Sequence, residues 1–214
     1  MVYLSASEFE SYGVDLATPP ALVGAVSALI DAHCRRPTLA PAQYTERLRL
    51  MPESITVRLT YLPLTAIAPA ASPIVAVRGR YAQPRRGDEL PLVREPQQEL
   101  MIEMANVFGL PGQWATVSTA GLDFDGDSGE VSLTGGLPWL PFNELEITYT
   151  AGLAAISDAV KHACAALIRN AQATPALNVR LARLDQMQIE YFSNSLIDDS
   201  VRKLLAPYVA QKVG

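Results

Sequence analysis

The chain has 214 residues, 49% hydrophobic and 18% charged, with a net charge of −5. Those totals fit a globular chain long enough to enclose a core and exclude a disordered or collagen-like one. No apolar run reaches the ~18 residues that a membrane span needs, Met1-Val2-Tyr3-Leu4 lacks a basic region followed by an apolar stretch, and two cysteines make no disulfide framework, so a soluble single domain made in a reducing cytoplasm is expected.

In chain order, Ser5 to Tyr12 predicts a short helix, capped by Ser5 or Ser7 and ended by Gly13. Leu22, Val23, Val26, Leu29, Ile30 and His33 fall at helical spacing. Pro19 is held out of the α region by the proline after it, so Pro20 is the expected first helical residue, and Pro37 the expected stop. Residues 38–53 read as a loop containing Tyr44-Thr45-Glu46-Arg47. From Ser54 the period drops to two. Ile55, Val57, Leu59 and Tyr61 alternate with polar residues up to Pro63, which predicts a strand. A second strand is expected over Ile74 to Arg80. Residues 82–96 are rich in proline and charge and predict a loop, and Gln97 to Phe108 predict a helix opened by Pro96.

Trp114 to Leu133 predict short strands around the turn Asp125-Gly126-Asp127-Ser128-Gly129. Leu137 to Pro141 is an apolar loop. The clearest local signal follows. Leu145, Ile147 and Tyr149 alternate with Glu146, Thr148 and Thr150, a half-buried strand punctuated by Gly152. Val160, Ala163, Cys164, Leu167 and Ile168 then fall at helical spacing, with Ser157 as the expected cap and Asp158 at the positive end of the dipole. Pro175 ends that pattern. Val179, Leu181, Met187, Ile189 and Tyr191 alternate as extended structure. Ser195 is the expected cap of a last helix whose apolar stripe is Ile197, Val201, Leu204 and Leu205, stopped by Pro207. The fold class expected is α+β: a small helical core of the N-terminal helices and a central helix at about 157–172, antiparallel β-hairpins, and a short C-terminal helix.

Charge is uneven. Residues 161–214 carry seven basic and four acidic side chains, a net of +3, which leaves −8 for the rest of a chain at −5. An acidic body repels nucleic acid, and no basic stripe with interleaved aromatics stands out, so sequence-specific DNA binding is not expected.

Three constellations could carry chemistry. Ala32-His33-Cys34 and Gly126-Asp127-Ser128-Gly129 resemble the histidine and serine signatures of trypsin-like proteases. However, Glu130 stands where that family has glycine, and the 95-residue gap between His33 and Ser128 is too short for two barrels. A hydrolase using Ser128 therefore ranks below a plain hairpin turn. Asp123, Asp125 and Asp127 have the spacing that opens a calcium loop, but Ser128 stands where that loop needs glycine and Thr134 where it needs an acid. His33, Cys34, His162 and Cys164 supply zinc-type atoms. Neighbouring residues on a helix point about 100° apart and residues two apart about 200° apart, so neither pair chelates one ion without the helix ending. No metal, cofactor or catalytic residue is expected.

The order of several segments resembles the head–tail connector, or adaptor, proteins of long-tailed bacteriophages. The residues that carry the resemblance are Ile147-Thr148-Tyr149-Thr150-Ala151-Gly152 with the helix from Asp158, and Leu204-Leu205-Ala206-Pro207-Tyr208. Tyr44-Thr45-Glu46-Arg47, Leu62-Pro63-Leu64 and Asp127-Ser128-Gly129-Glu130-Val131 also contribute. The match covers most of a single connector domain, 1–214, with an insertion at about 83–111. The resemblance implies a non-enzymatic structural protein of the virion neck: a homo-oligomeric ring, usually of twelve copies, between the portal protein and a tail-completion or tail terminator protein. Genome DNA passes through its channel without sequence-specific binding, and no membrane is involved. Val201, Leu204, Leu205 and Tyr208 are the expected portal interface. Another structural neck or tail-completion protein is the alternative.

Overall fold

The computed structural model describes residues 1–50, 56–80, 113–133, 144–173, 181–184, 187–190 and 196–211. The fold is α+β. The chain divides into two compact units, one formed by Met1–Ala40 with Leu153–Gln211 and one by Pro41–Gly152.

The first unit is helical. Two 3-10 turns, Ala6–Glu8 and Glu10–Tyr12, stand where one short helix is expected. Ser5 caps the first through a capping box with Glu8, which joins an orphan N–H to a carboxylate. Helix α1 runs Pro20–His33 and starts on the expected proline. It stops before Pro37 because Arg35 takes a left-handed conformation, φ 55°. Arg35 N–H then bonds Ala32 O at 3.2 Å and Arg36 N–H bonds Asp31 O at 3.1 Å, the pairing of a Schellman cap, which satisfies the last carbonyls.

Helix α2, Asp158–Ala173, packs its Val160, Ala163, Cys164, Leu167 and Ile168 against Val23, Val26 and Ile30 of α1 in one core. Ser157 holds the N-cap position, its carbonyl accepting from Lys161 N–H at 3.2 Å. Helix α3, Asp199–Leu205, is capped by Asp198 instead of Ser195, which lies outside the described residues. The Asp198 carboxylate accepts the Val201 N–H at 2.8 Å. Tyr3 and Leu4 are buried in the same core. The Tyr3 hydroxyl donates to Asp31 and accepts the Leu39 N–H, and burial pushes its pKa up to about 12.

Among its described residues the second unit is built of β-strands, with one 3-10 turn at Thr119–Gly121. Strands β1 (Ala42–Arg49), β7 (Glu144–Ala151), β3 (Ile74–Arg80) and β4 (Ala115–Val117) form an antiparallel sheet in that order. Strands β2 (Thr56–Arg58), β6 (Glu130–Ser132) and β5 (Asp123–Phe124) form a second one. Their shared core holds Tyr44, Val57, Leu59, Val77, Val131, Leu145, Ile147 and Tyr149. β1 replaces the loop expected from 38 to 53. Its inward side chains are Tyr44, Glu46 and Leu48, too weakly apolar to announce a strand. β2 ends sooner than the pattern predicts. Beyond it, Leu59 N–H turns to Gly129 O, Thr60 N–H to the Glu46 carboxylate and Tyr61 N–H to the Tyr149 hydroxyl.

A hairpin of β8 (Leu181–Leu184) and β9 (Met187–Glu190) realises the extended structure expected there. The sequence expectations for 82–96, for Gln97 to Phe108 and for Leu137 to Pro141 lie outside the described residues. Among the described residues, no helix is long and apolar enough to cross a membrane.

Candidate functional site: a guanidinium and indole face on the larger sheet

β7 is not half-buried. Seven of its eight positions are buried, including Glu144 and Glu146. A central strand has neighbours on both sides, so an outward carboxylate is reached from both. Register places Arg47 of β1 and Arg78 of β3 on either side of Glu146, and Arg49 and Arg80 on either side of Glu144. Three strands thus align Arg-x-Arg, Glu-x-Glu and Arg-x-Arg. Arg47 Nε donates to Glu146 Oε2 at 3.0 Å, Arg78 donates to the other oxygen of Glu146, and Arg80 Nε donates to Glu144. The Arg78 hydrogen bond, joined by Arg47, holds the Glu146 carboxyl below its ordinary value against the opposing effect of burial.

Trp114, just before β4, lies across these arginines. The guanidinium carbons of Arg80, Arg47 and Arg78 stand 4.5, 5.5 and 5.8 Å from its ring centroid. Cations attract the ring face at this range, each contact contributing about 0.5–1 kcal/mol where solvent reaches it. Among the described residues, the register sets four arginines beside two glutamates on this face. The Arg47 and Arg78 side chains are 59% and 49% exposed, so their outer N–H groups can meet an anion. Guanidinium forks suit carboxylate and phosphate oxygens. The signal was present in the sequence as three X-x-X charge pairs, but Arg47 and Glu146 are 99 positions apart, and only the register joins them.

The residues expected to face a portal lie elsewhere. Val201 and Leu205 are fully buried in the core of the helical unit, and Leu204 and Tyr208 are half-buried against it. A side chain already enclosed by its own unit presents no area to a partner, so Val201 and Leu205 are corrected to core residues. Tyr208 shares a 2.7 Å hydrogen bond with Ser157.

Ser128 sits in the β5–β6 turn. Its Oγ accepts the Glu130 N–H at 3.3 Å and, with the Asp127 N–H, holds the Asp125 carboxyl below its ordinary value. Gly129 has φ 72°, and a Cβ there would meet Leu62 Cδ2 at 2.4 Å, so this glycine serves the backbone. Among the described residues, no three carboxylate, imidazole or thiol groups converge on a metal position. Cys34 and Cys164 are free and buried, with burial pushing both thiols up to about 11. His33 is half-buried, while His162 is exposed on α2 and meets Tyr12 edge-on at 4.8 Å.

No protein-family model matches the chain, and no curated protein matches it.

Proposed function

We propose that this chain is a structural protein of a tailed-phage neck, an adaptor that forms a ring between the portal and the tail. The observation that carries the reading is that two of the segments behind the resemblance, the helix from Asp158 and Leu204 to Tyr208, pack together within the helical unit. The distant Leu204 to Tyr208 segment docks Leu205 into the core beside α2 and bonds Tyr208 to Ser157, just ahead of it. Motifs that pack on one another are better markers of a fold than motifs scattered along a chain.

In this reading the portal contact narrows to the half-buried Leu204 and Tyr208 rim of the C-terminal segment. The ring is homo-oligomeric, with twelve copies by resemblance, and genome DNA passes through its channel without sequence-specific contacts. The protein is made in the host cytoplasm and ends in the virion, with neither cofactor nor enzymatic activity. Negative-stain imaging and co-sedimentation with the cognate portal test the proposal. Rings seated on the portal are expected. Binding to a tail tube or tail terminator with no affinity for portal would replace it with a tail-completion role. Covalent labelling by a fluorophosphonate that is lost in Ser128→Ala would replace it with a hydrolase.

A further inference from the structure

The guanidinium and indole face has a chemical counterpart on the same unit. The β5–β6 hairpin carries Asp123, Phe124, Asp125 and Asp127, all exposed, followed by exposed Glu130. Phe124 is one of the chain's exposed large apolar side chains, at 37%. β5 is the outer strand of its sheet. Among the described residues, Asp123, Asp127 and Glu130 make no ion pair. One patch is therefore cationic around an indole, and the other is anionic around a phenyl ring.

We propose that these two patches bind each other between copies of this chain: the Asp123-Phe124-Asp125-x-Asp127 edge of one copy docks on the Arg47, Arg78, Arg80 and Trp114 face of the next. The inference deepens the ring reading above by naming its contact, and it rests on that reading only for where the assembly works.

Size argues for this occupant. Neighbouring strands lie about 4.8 Å apart and alternate residues about 7 Å apart. The two outer Arg columns are thus separated by about 10 Å, a footprint for two or three carboxylates and one ring. A duplex would need a longer cationic track, and Glu144 and Glu146 occupy the centre of this one. The contact joins two different patches, so it is heterologous and propagates head to tail until rotation closes it. Aromatic and arginine groups at the centre of a patch are the usual energetic anchors of an interface.

Sedimentation velocity over a concentration series tests it, with circular dichroism confirming folding. The variants are Arg47→Glu with Trp114→Ala, which spoils the face, and Asp123→Lys with Asp127→Lys, which spoils the edge. Asp125 is kept because it builds the turn. Wild type is expected to associate beyond a dimer, and either variant to associate about tenfold or more weakly. An equimolar mixture of the two is expected to form a dimer and stop there, since each partner contributes its one intact patch. Wild type that stays monomeric at its highest soluble concentration overturns the proposal, as does either folded variant assembling like wild type. If the face variant does not fold, the edge variant and the loss of association with added salt decide the question. Duplex DNA binding that disappears with Arg47→Glu and Trp114→Ala would assign the face to nucleic acid instead. Co-sedimentation with portal separates the two readings. Association through these patches without portal binding removes the neck role and leaves the contact standing; portal binding by a freely assembling edge variant does the reverse.

Discussion

Ser157 and Tyr208 share a 2.7 Å hydrogen bond across 51 positions of sequence. The bond fixes the last turn of the chain beside the first turn of α2, and Leu205 fills the core beneath it. A helix of seven residues has no independent stability, so the C-terminal segment is held by what it buries.

Removing residues 196–214 is accordingly expected to unfold the helical unit. Leu205→Ala should destabilise by about 2–5 kcal/mol, the range for emptying a buried leucine site. Tyr208→Phe should cost about 1 kcal/mol, one net hydrogen bond. Urea denaturation followed by circular dichroism measures all three. A truncated protein with native helicity and an unchanged midpoint would show that α3 is dispensable.

Glu146 makes the sheet unit sensitive to acid. Its pKa is lowered in the folded state, so the native protein holds fewer protons there than the unfolded chain. The stabilisation is fully present above the ordinary value of 4.5 and is lost as pH falls through the lower folded value. Glu146→Gln should therefore be less stable than wild type at neutral pH, by about 1–3 kcal/mol. The two should converge in acid. Melting temperatures across a pH series report it, and a constant gap between the curves would contradict the mechanism.

Tyr3 acts at the other end of the scale. Its folded pKa, raised by burial and then by the Asp31 carboxylate, is about 12 against an ordinary 10.0. The native state keeps a proton that the unfolded chain gives up. Stability tied to Tyr3 is complete below pH 10 and is lost as pH rises toward 12. Tyr3→Phe should flatten that alkaline limb while lowering stability at neutral pH, because Leu39 N–H loses its acceptor.

The β5–β6 turn separates backbone need from side-chain chemistry. Gly129→Ala should cost more than about 1 kcal/mol, since it combines positive φ with a clash against Leu62. Ser128→Ala should cost about 0.5–1.5 kcal/mol, the worth of a turn hydrogen bond. A chelator should leave either melting temperature unchanged. Chemical denaturation of both variants, with and without calcium, measures this, and a calcium-dependent rise in melting temperature would reinstate the Asp123, Asp125 and Asp127 loop as a cation site.

Local patterns were legible where one residue type decides the backbone. Pro20 opened α1 as expected, and the strand expected over Ile74 to Arg80 matched β3 to the residue. β1 was not legible, because Glu46 faces inward to meet the Tyr149 hydroxyl at 2.7 Å, and a half-buried acid reads as a surface residue until its partner is known. The same holds for Glu144 and Glu146. Their covering arginines come from strands far away in sequence, so alternation suggested solvent where register supplies guanidinium. The C-terminal stripe was visible as an amphipathic helix, but periodicity gives the side that is buried and not what buries it.

The sheet unit leaves and rejoins the helical unit at one place. Ala42 pairs with Ala151 in the sheet, while Leu153 N–H bonds Leu39 O at 2.8 Å in the helical unit. Residues 41–152 are therefore a closed excursion whose two ends are already neighbours. Bridging Ala40 to Leu153 with a short glycine-rich linker asks for no re-threading of the helices and little loop-closure entropy. The helical unit can thus serve as a host, and the strands as exchangeable cargo: a different sheet could be grafted at this one seam without redesigning the helices.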